Sequence, residues 1–353
     1  VKKAVRAESP ERLTLGTVVD AIAQVIAVGA GTSLGRETAP RQITAYLGQV
    51  ISDRFKLGPG ERRTLIATTS AAGLSAVYNV PFAGMFYALE LLLKPDLRTR
   101  RGWLQVLSAA VVSALATVTA WLFNHNHPIY ELPKHALAVP PVGWLALVAV
   151  LGLAIGASFT WTNNVAKKRT APPHRVWWTL PLGSALVTAI ALAVPQIPGN
   201  GQIIVQAVLT PPAPGASTGI LIGGLALGSV LLMGVAKWVG TYIAQRLGAT
   251  GGVLTPALAL GACMGAGVAF LSGHSSLADL TMFGVVGAAC VLSVSQKAPL
   301  FAAAFTLELV KAPLLMILTA AACVAATWVL RVAATKCWEW WKARPGSADP
   351  AQN

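Results

Sequence analysis

A succession of long apolar stretches runs through this chain. They fall at about Leu15–Ser33, Trp103–Phe123, Val142–Trp161, Trp177–Val194, Ile220–Val235, Val253–Leu271, Met282–Val294 and Pro313–Leu330. Most approach the ~20 residues that a helix needs to cross a bilayer. Four shorter apolar pieces, Ile43–Ile51, Leu65–Val77, Pro81–Leu93 and Pro299–Val310, are bounded by Gly and Pro and read as half-spans. Broken helices at membrane depth persist only where protein buries them or a cavity needs them. In transporters, their N-termini often point at the substrate. The expected fold class is therefore an all-α polytopic membrane protein with broken helices.

Composition supports this solvent. Only 11% of the 353 residues are charged and 55% are apolar, whereas an ordinary soluble domain is about 25% charged. Too few charges remain to coat a soluble domain of this length, which excludes a disordered chain, a coiled coil and almost any soluble enzyme. The net charge of +14 fits cytoplasmic loops rich in Lys and Arg. Nucleic acid is not an expected partner, because no run of stacking aromatics accompanies the basic residues. Asp53–Arg63, Lys94–Arg101 and Lys167–Arg175 are basic. Between them, Asn124–Ala138 holds only Lys134, and Pro195–Ser217 holds no charge. This alternation places the basic loops in the cytoplasm and the Trp-rich stretch Arg331–Arg344 at the same interface. Val1–Arg12 is polar and basic without an apolar leader, so no signal peptide is expected and the sequence reads as opening partway through a longer chain.

The chain also repeats itself. Ala72–Pro81 leads into an apolar segment ending Leu89-Glu90-Leu91, and Cys290–Pro299 leads into one ending Leu307-Glu308-Leu309. The prolines and the glutamates share one offset, and Gly35-Arg36-Glu37-Thr38-Ala39-Pro40 meets Gly252-Val253-Leu254-Thr255-Pro256 at nearly the same one. Two related halves with broken helices predict a transport protein whose site lies where the repeats meet.

Two motifs carry the chemistry. Gly31–Pro40 closes an apolar span and opens a shorter helix. A helix N-terminus offers unpaired N–H groups and partial positive charge, so it can hold an anion. Glu37 stands there, and its carboxylate either occupies that anion site as a gate released by protonation, or simply caps the helix and pairs with Arg36. Gly251–Pro256 is the second-repeat counterpart. Its glycines admit close backbone approach, and Thr255-Pro256 opens another helix, as an anion site or as an ordinary loop-to-helix turn. Two helix N-termini aimed at one point bind an anion weakly enough to release it, as conduction requires.

These residues resemble the CLC chloride channels and chloride/proton antiporters over about Leu15 to Val332. Gly35-Arg36-Glu37 is similar to the family's Gly-Arg/Lys-Glu-Gly-Pro motif. Gly251–Pro256, followed by Ala257-Leu258-Ala259-Leu260-Gly261-Ala262, is similar to Gly-Gly-x-Phe-x-Pro with its trailing Leu-x-x-Gly. The resemblance implies an inverted-repeat helical bundle forming a homodimer, with one anion pathway per subunit. Its transmembrane domain would span residues 1–333, incomplete at the N-terminus, and a short cytoplasmic tail would span 334–353. It implies Glu37 as the gating glutamate and an anion site drawn from Gly35, Arg36, Thr38, Gly252, Val253, Leu254 and Thr255, with the Val253 and Leu254 backbone lining it. The chain departs from the family pattern in places. Pro40 follows Glu37 by three residues, Leu254 stands for the usual Phe, and the family's Gly-Ser-Gly-x-Pro motif is absent. The last tyrosine is Tyr242, so the pore tyrosine has no counterpart. The final family helix is expected only as Cys337–Lys342. The antiporters' inner proton-carrying glutamate falls at Leu91. Glu90 is adjacent, but about 100° away on an α-helix.

The expected function is chloride transport, passive or weakly proton-coupled and gated by Glu37. A chloride/proton antiporter is the alternative, and a non-conducting membrane scaffold is a remote one. An intramembrane enzyme would need a nucleophile matched to a base, and no His lies in an apolar span. No cofactor or metal is expected. His125, His127 and His135 read as a solvated loop in preference to a metal cluster. Cys263, Cys290 and Cys323 read as small core residues, Cys337 as an unpaired thiol, and Glu308 as the structural counterpart of Glu90.

Overall fold

The computed structural model describes residues 1–5, 11–133, 139–210 and 225–342. His135 and part of the Ile220–Val235 stretch lie outside these. Thirteen α-helices occur among the described residues, and the only β pairing among them is one isolated bridge. Seven helical segments are long and apolar enough to cross a membrane, and the chain is a multi-pass membrane protein.

The internal repeat is structural. Helix α3 (Pro59–Tyr78) starts on Pro59, and the Glu61 carboxylate accepts a bond from the Gly58 N–H at 3.2 Å. It stops where Asn79 turns left-handed at φ 57°. Helix α11 (Leu277–Gln296) starts behind Ser276, whose hydroxyl accepts from the Asp279 N–H, and stops at Lys297, also at φ 57°. Both helices have 20 residues. Each is followed by a short helix opened by proline: α4 (Pro81–Phe86) in the first half, α12 (Pro299–Leu309) in the second. Proline suits that position because its missing N–H has no acceptor there in any case.

The two short helices run in opposite directions and cap one another. The Glu308 carboxylate, near the end of α12, accepts from Phe82 N at 3.0 Å and Ala83 N at 2.7 Å. The Glu90 carboxylate, just beyond α4, accepts from Leu300 N at 3.3 Å and Phe301 N at 2.8 Å. This reciprocity makes the repeat inverted. Tyr87–Leu93 is wound as a π-helix, so the α-helical angle expected between Glu90 and Leu91 does not apply.

The centre is α10 (Leu254–Leu271) against α11. Within these spans 89% and 83% of the apolar window is buried, compared with 17% in α5 (Arg100–Asn124). Small residues set the approach. A Cβ on Gly261 would lie 2.4 Å from the Gly287 carbonyl oxygen, and one on Gly287 would lie 2.3 Å from the Gly261 carbonyl oxygen. Close backbone contact of this kind is how helices gain attraction inside lipid. Around the pair stand α6 (Val142–Lys168), α7 (Val176–Ala193), α8 (Gln202–Leu209), α9 (Leu227–Arg246) and α13 (Leu314–Lys342). Leu122, Phe123, Val142 and Leu192 are among the exposed apolar side chains, as a lipid-facing surface requires.

The loops sort by charge. Arg63 donates to the Leu93 and Val5 carbonyls, which brings two basic loops together. At another cluster, Asn79 donates to Asn126, and the Glu131 N–H donates to Gln206. Three expectations need correction. Ile43–Ile51 and Leu65–Val77 end too soon: they are the middles of the longer helices α2 (Thr38–Arg54) and α3, whose polar ends fall below an apolar threshold. The Ile220–Val235 stretch gives way to α9, which continues to Arg246 because Lys237, Gln245 and Arg246 interrupt the hydropathy but not the helix. Cys337–Lys342 is no separate helix. It is the last part of α13, in which no Gly or Pro interrupts the run from Leu314.

Candidate functional site

Helix α1 (Leu15–Gly29) ends with Ala30, and Gly31 turns left-handed at φ 104° to send the chain back toward α2. The returning loop meets the loop before α10. Gly35 N donates to the Gly252 carbonyl at 2.7 Å, and Gly252 N donates to the Gly35 carbonyl at 2.7 Å. This antiparallel bridge joins the two motifs singled out in the sequence.

The Glu37 side chain lies over the bridge, fully buried. Its Oε1 accepts from Leu254 N at 2.7 Å, and its Oε2 accepts from the Thr255 hydroxyl at 3.3 Å. The carboxylate therefore occupies the N-terminus of α10, in the other repeat, and makes no side-chain cap on its own α2. It takes the place that a free anion would occupy at that helix end. The bridge glycines leave the space. A Cβ on either Gly35 or Gly252 would sit 1.9 Å from a Glu37 carboxylate oxygen.

The backbone of Glu37 is held separately from its side chain. Arg41 Nε donates to the Glu37 carbonyl at 2.7 Å, and Nη2 donates to the Thr38 hydroxyl at 2.9 Å. The guanidinium stands 5.1 Å from the centre of the Tyr87 ring, a cation–π contact. Swinging the carboxylate out thus need not move the chain that carries it.

Of the expected site residues, the structure gathers Gly35, Gly252, Leu254 and Thr255 around Glu37, with Val253 as the residue before α10. Two side chains are elsewhere. The Thr38 hydroxyl is engaged by Arg41. Arg36 is exposed and lines a cleft of about 690 Å³ together with Gln196, Gly199, Asn200, Gln202 and Gln206. His125 and His127 are exposed where α5 ends. Cys263, Cys290 and Cys323 are buried, and Cys337 is exposed.

Lys237 has no counterpart in the sequence reading. It is fully buried within α9, and its Nζ donates to Ser33 Oγ at 2.9 Å, to the Ile197 carbonyl at 3.0 Å and to the Gly199 carbonyl at 2.7 Å. All three acceptors are neutral, and Glu37 is the charged side chain within electrostatic range of the Lys237 amine. Lys237 thus ties the Ser33 turn to the rim of the cleft. The available signal was a lone lysine inside an apolar helix, a position that ionisable residues seldom occupy without a task.

The model of the voltage gated chloride channel family matches residues 1–331. Among curated proteins, the H(+)/Cl(-) exchange transporter ClcA of Salmonella agona (strain SL483) is 29% identical over 297 residues, 80% of this chain and 59% of that protein. The ClcA of Salmonella arizonae matches with the same identity and coverage. The chain thus spans somewhat over half the length of these relatives. Among solved structures, a slow cyanobacterial Cl-/H+ antiporter aligns with a TM-score of 0.74 at 20% identity, covering 92% of this chain and 75% of that one. A CLC-type fluoride/proton antiporter aligns at 0.66 and 19%, covering 92% and 76%. At such identities, these two likenesses speak to the fold.

Proposed function

The chain belongs to the voltage-gated chloride channel family, and from that premise we propose that it exchanges chloride for protons across the cell membrane, with Glu37 serving both ions. The observation that carries this reading is the Glu37 carboxylate on the Leu254 N–H. A carboxylate and a chloride compete for one helix N-terminus, and a proton decides between them. Protonation removes the negative charge that holds the side chain there, and chloride then takes its place. Departure of chloride lets the carboxylate return and give up its proton. The names of the curated relatives, exchange transporters of protons and chloride, support coupling over a purely passive path.

In this reading residues 1–333 form the transporting domain, and two copies associate through the apolar faces of the repeat. The anion contacts the backbone at Leu254 and Val253 and the Thr255 hydroxyl, in the space kept by Gly35 and Gly252. Arg36, exposed in the outer cleft, draws anions toward it, and Arg41 holds the Glu37 backbone.

A passive path is the second reading, and Leu91 favours it. It stands where the family resemblance puts an inner proton carrier, and neighbouring Glu90 is engaged as a helix cap. Reconstitution separates the two. Vesicles given a chloride gradient should move protons against the chloride flow, and Glu37→Gln should stop the protons while chloride still passes. Wild-type chloride flux without proton movement would establish the passive path. Unchanged proton movement in Glu37→Gln would remove Glu37 from the cycle.

A further inference from the structure

Tyr78 is the last residue of α3, and its side chain is only 3% exposed. The ring is held edge-on against Phe305, with centroids 5.5 Å apart. Its hydroxyl is buried and has no hydrogen-bond partner. A buried O–H without an acceptor is costly and uncommon. Thr255 and Glu37 are the nearby groups with which this hydroxyl interacts electrostatically. It therefore looks onto the N-terminus of α10, where the Glu37 carboxylate already holds the Leu254 N–H and the Thr255 hydroxyl.

We propose that the Tyr78 hydroxyl donates to the transported anion, completing with the Leu254 N–H and the Thr255 hydroxyl the site that the Glu37 carboxylate vacates. This deepens the reading of Glu37 as a displaceable carboxylate and rests on it. The argument is one of difference between two states. With the carboxylate in place, the phenol makes no bond. With a monatomic anion in place, it gains one to a full negative charge, the stronger kind of hydrogen bond. A group that is satisfied in only one of two states biases the equilibrium toward that state. Tyr78 thereby favours the anion over the carboxylate at the same helix end, without adding a fixed charge that would hold the anion too tightly.

The test is chloride titration by calorimetry on purified protein in detergent, in a Glu37→Gln background where no carboxylate competes. Adding Tyr78→Phe should weaken chloride binding about ten-fold, the order expected for one lost hydrogen bond to a charged group. The melting temperature without chloride should stay unchanged, since the hydroxyl bonds nothing there and the ring contact with Phe305 survives. Fluorotyrosine at position 78, a stronger donor, should tighten binding at a pH that keeps it neutral. Equal chloride affinity with Tyr and Phe overturns the proposal while leaving the Glu37 reading intact. A Glu37→Gln protein that binds no chloride overturns both.

Discussion

Glu37 and the pair Glu90–Glu308 use the same interaction in different settings. Each carboxylate accepts hydrogen bonds at the N-terminus of a helix from the opposite repeat. Glu90 and Glu308 each take two backbone N–H groups, and the two helices clamp one another in both directions. Glu37 takes one N–H and one hydroxyl, over two glycines and beside an unbonded phenol. The first arrangement is satisfied from both sides and holds the fold. The second leaves room and a spare donor, which is what the proposed exchange of the carboxylate for another anion requires. In that proposal, displaceability is a property of the surroundings, not of the glutamate.

The sharpest way to break this contrast is Gly252→Ala. The new Cβ would fall 1.9 Å from Glu37 Oε1, and the flexible carboxylate is what must yield. Its bond to Leu254 N is worth about 1.5–3 kcal/mol for a charged acceptor, so occupancy should fall at least ten-fold. Chloride flux at neutral pH should rise toward that of Glu37→Gln, read by chloride efflux from vesicles. Gly143, whose Cβ would meet nothing within 4 Å, supplies the neutral control. Unchanged flux in Gly252→Ala would mean that the carboxylate does not close the path.

Next in size is Glu308→Gln. The amide can still accept one bond, but its NH₂ would face an N–H, leaving a buried donor unmatched at a cost of about 1–3 kcal/mol. The thermal midpoint in detergent should fall, while the pH dependence of flux stays that of wild type. A shifted pH profile with unchanged stability would make Glu308 a second displaceable carboxylate and erase the contrast.

The smallest effect belongs to a carboxylate in neither class. Asp53 sits at the basic end between Arg12 and Arg62, and the Arg12 hydrogen bond holds its carboxyl below the usual 3.8. A lowered value stabilises the fold above the unfolded-state pKa, and this is lost as pH falls through the folded one. Asp53→Asn should therefore cost at most about 1 kcal/mol near neutrality, as exposed pairs do, and the difference from wild type should shrink below pH 3.8 in thermal melts.

Much of this arrangement was legible in the residues. Spans and breaks followed from hydropathy and proline. The repeat appeared in Pro81 and Glu90 against Pro299 and Glu308, and α3 and α11 obey it to the residue. What pattern could not show was direction. Nothing local says that Glu37 reaches across to α10 instead of capping α2, because the acceptor geometry is set by a contact more than two hundred residues away. Lys237 was hidden for a related reason. A charge lowers the hydropathy of its window, so the apolar stretch ended at Val235 although the helix continued, and its three oxygen partners come from two distant turns. Tyr78 looked like any aromatic at a helix end until its hydroxyl proved to lack an acceptor.

The bridge between Gly35 and Gly252 bears on time. Two main-chain bonds of 2.7 Å fasten the loop beneath Glu37 to the loop before α10. Moving either loop would break both bonds between buried residues, where an unpaired backbone group is costly. The economical way to clear the anion position is rotation about the Glu37 side-chain bonds, with the backbone at rest. Such a rotation has to break the carboxylate's own two hydrogen bonds but no main-chain bond, and it avoids the microsecond-or-longer collective motions that shifting the loops would require. In the proposed cycle the clock is therefore set by a single buried side chain and the ions that reach it, with the two loops as a fixed frame.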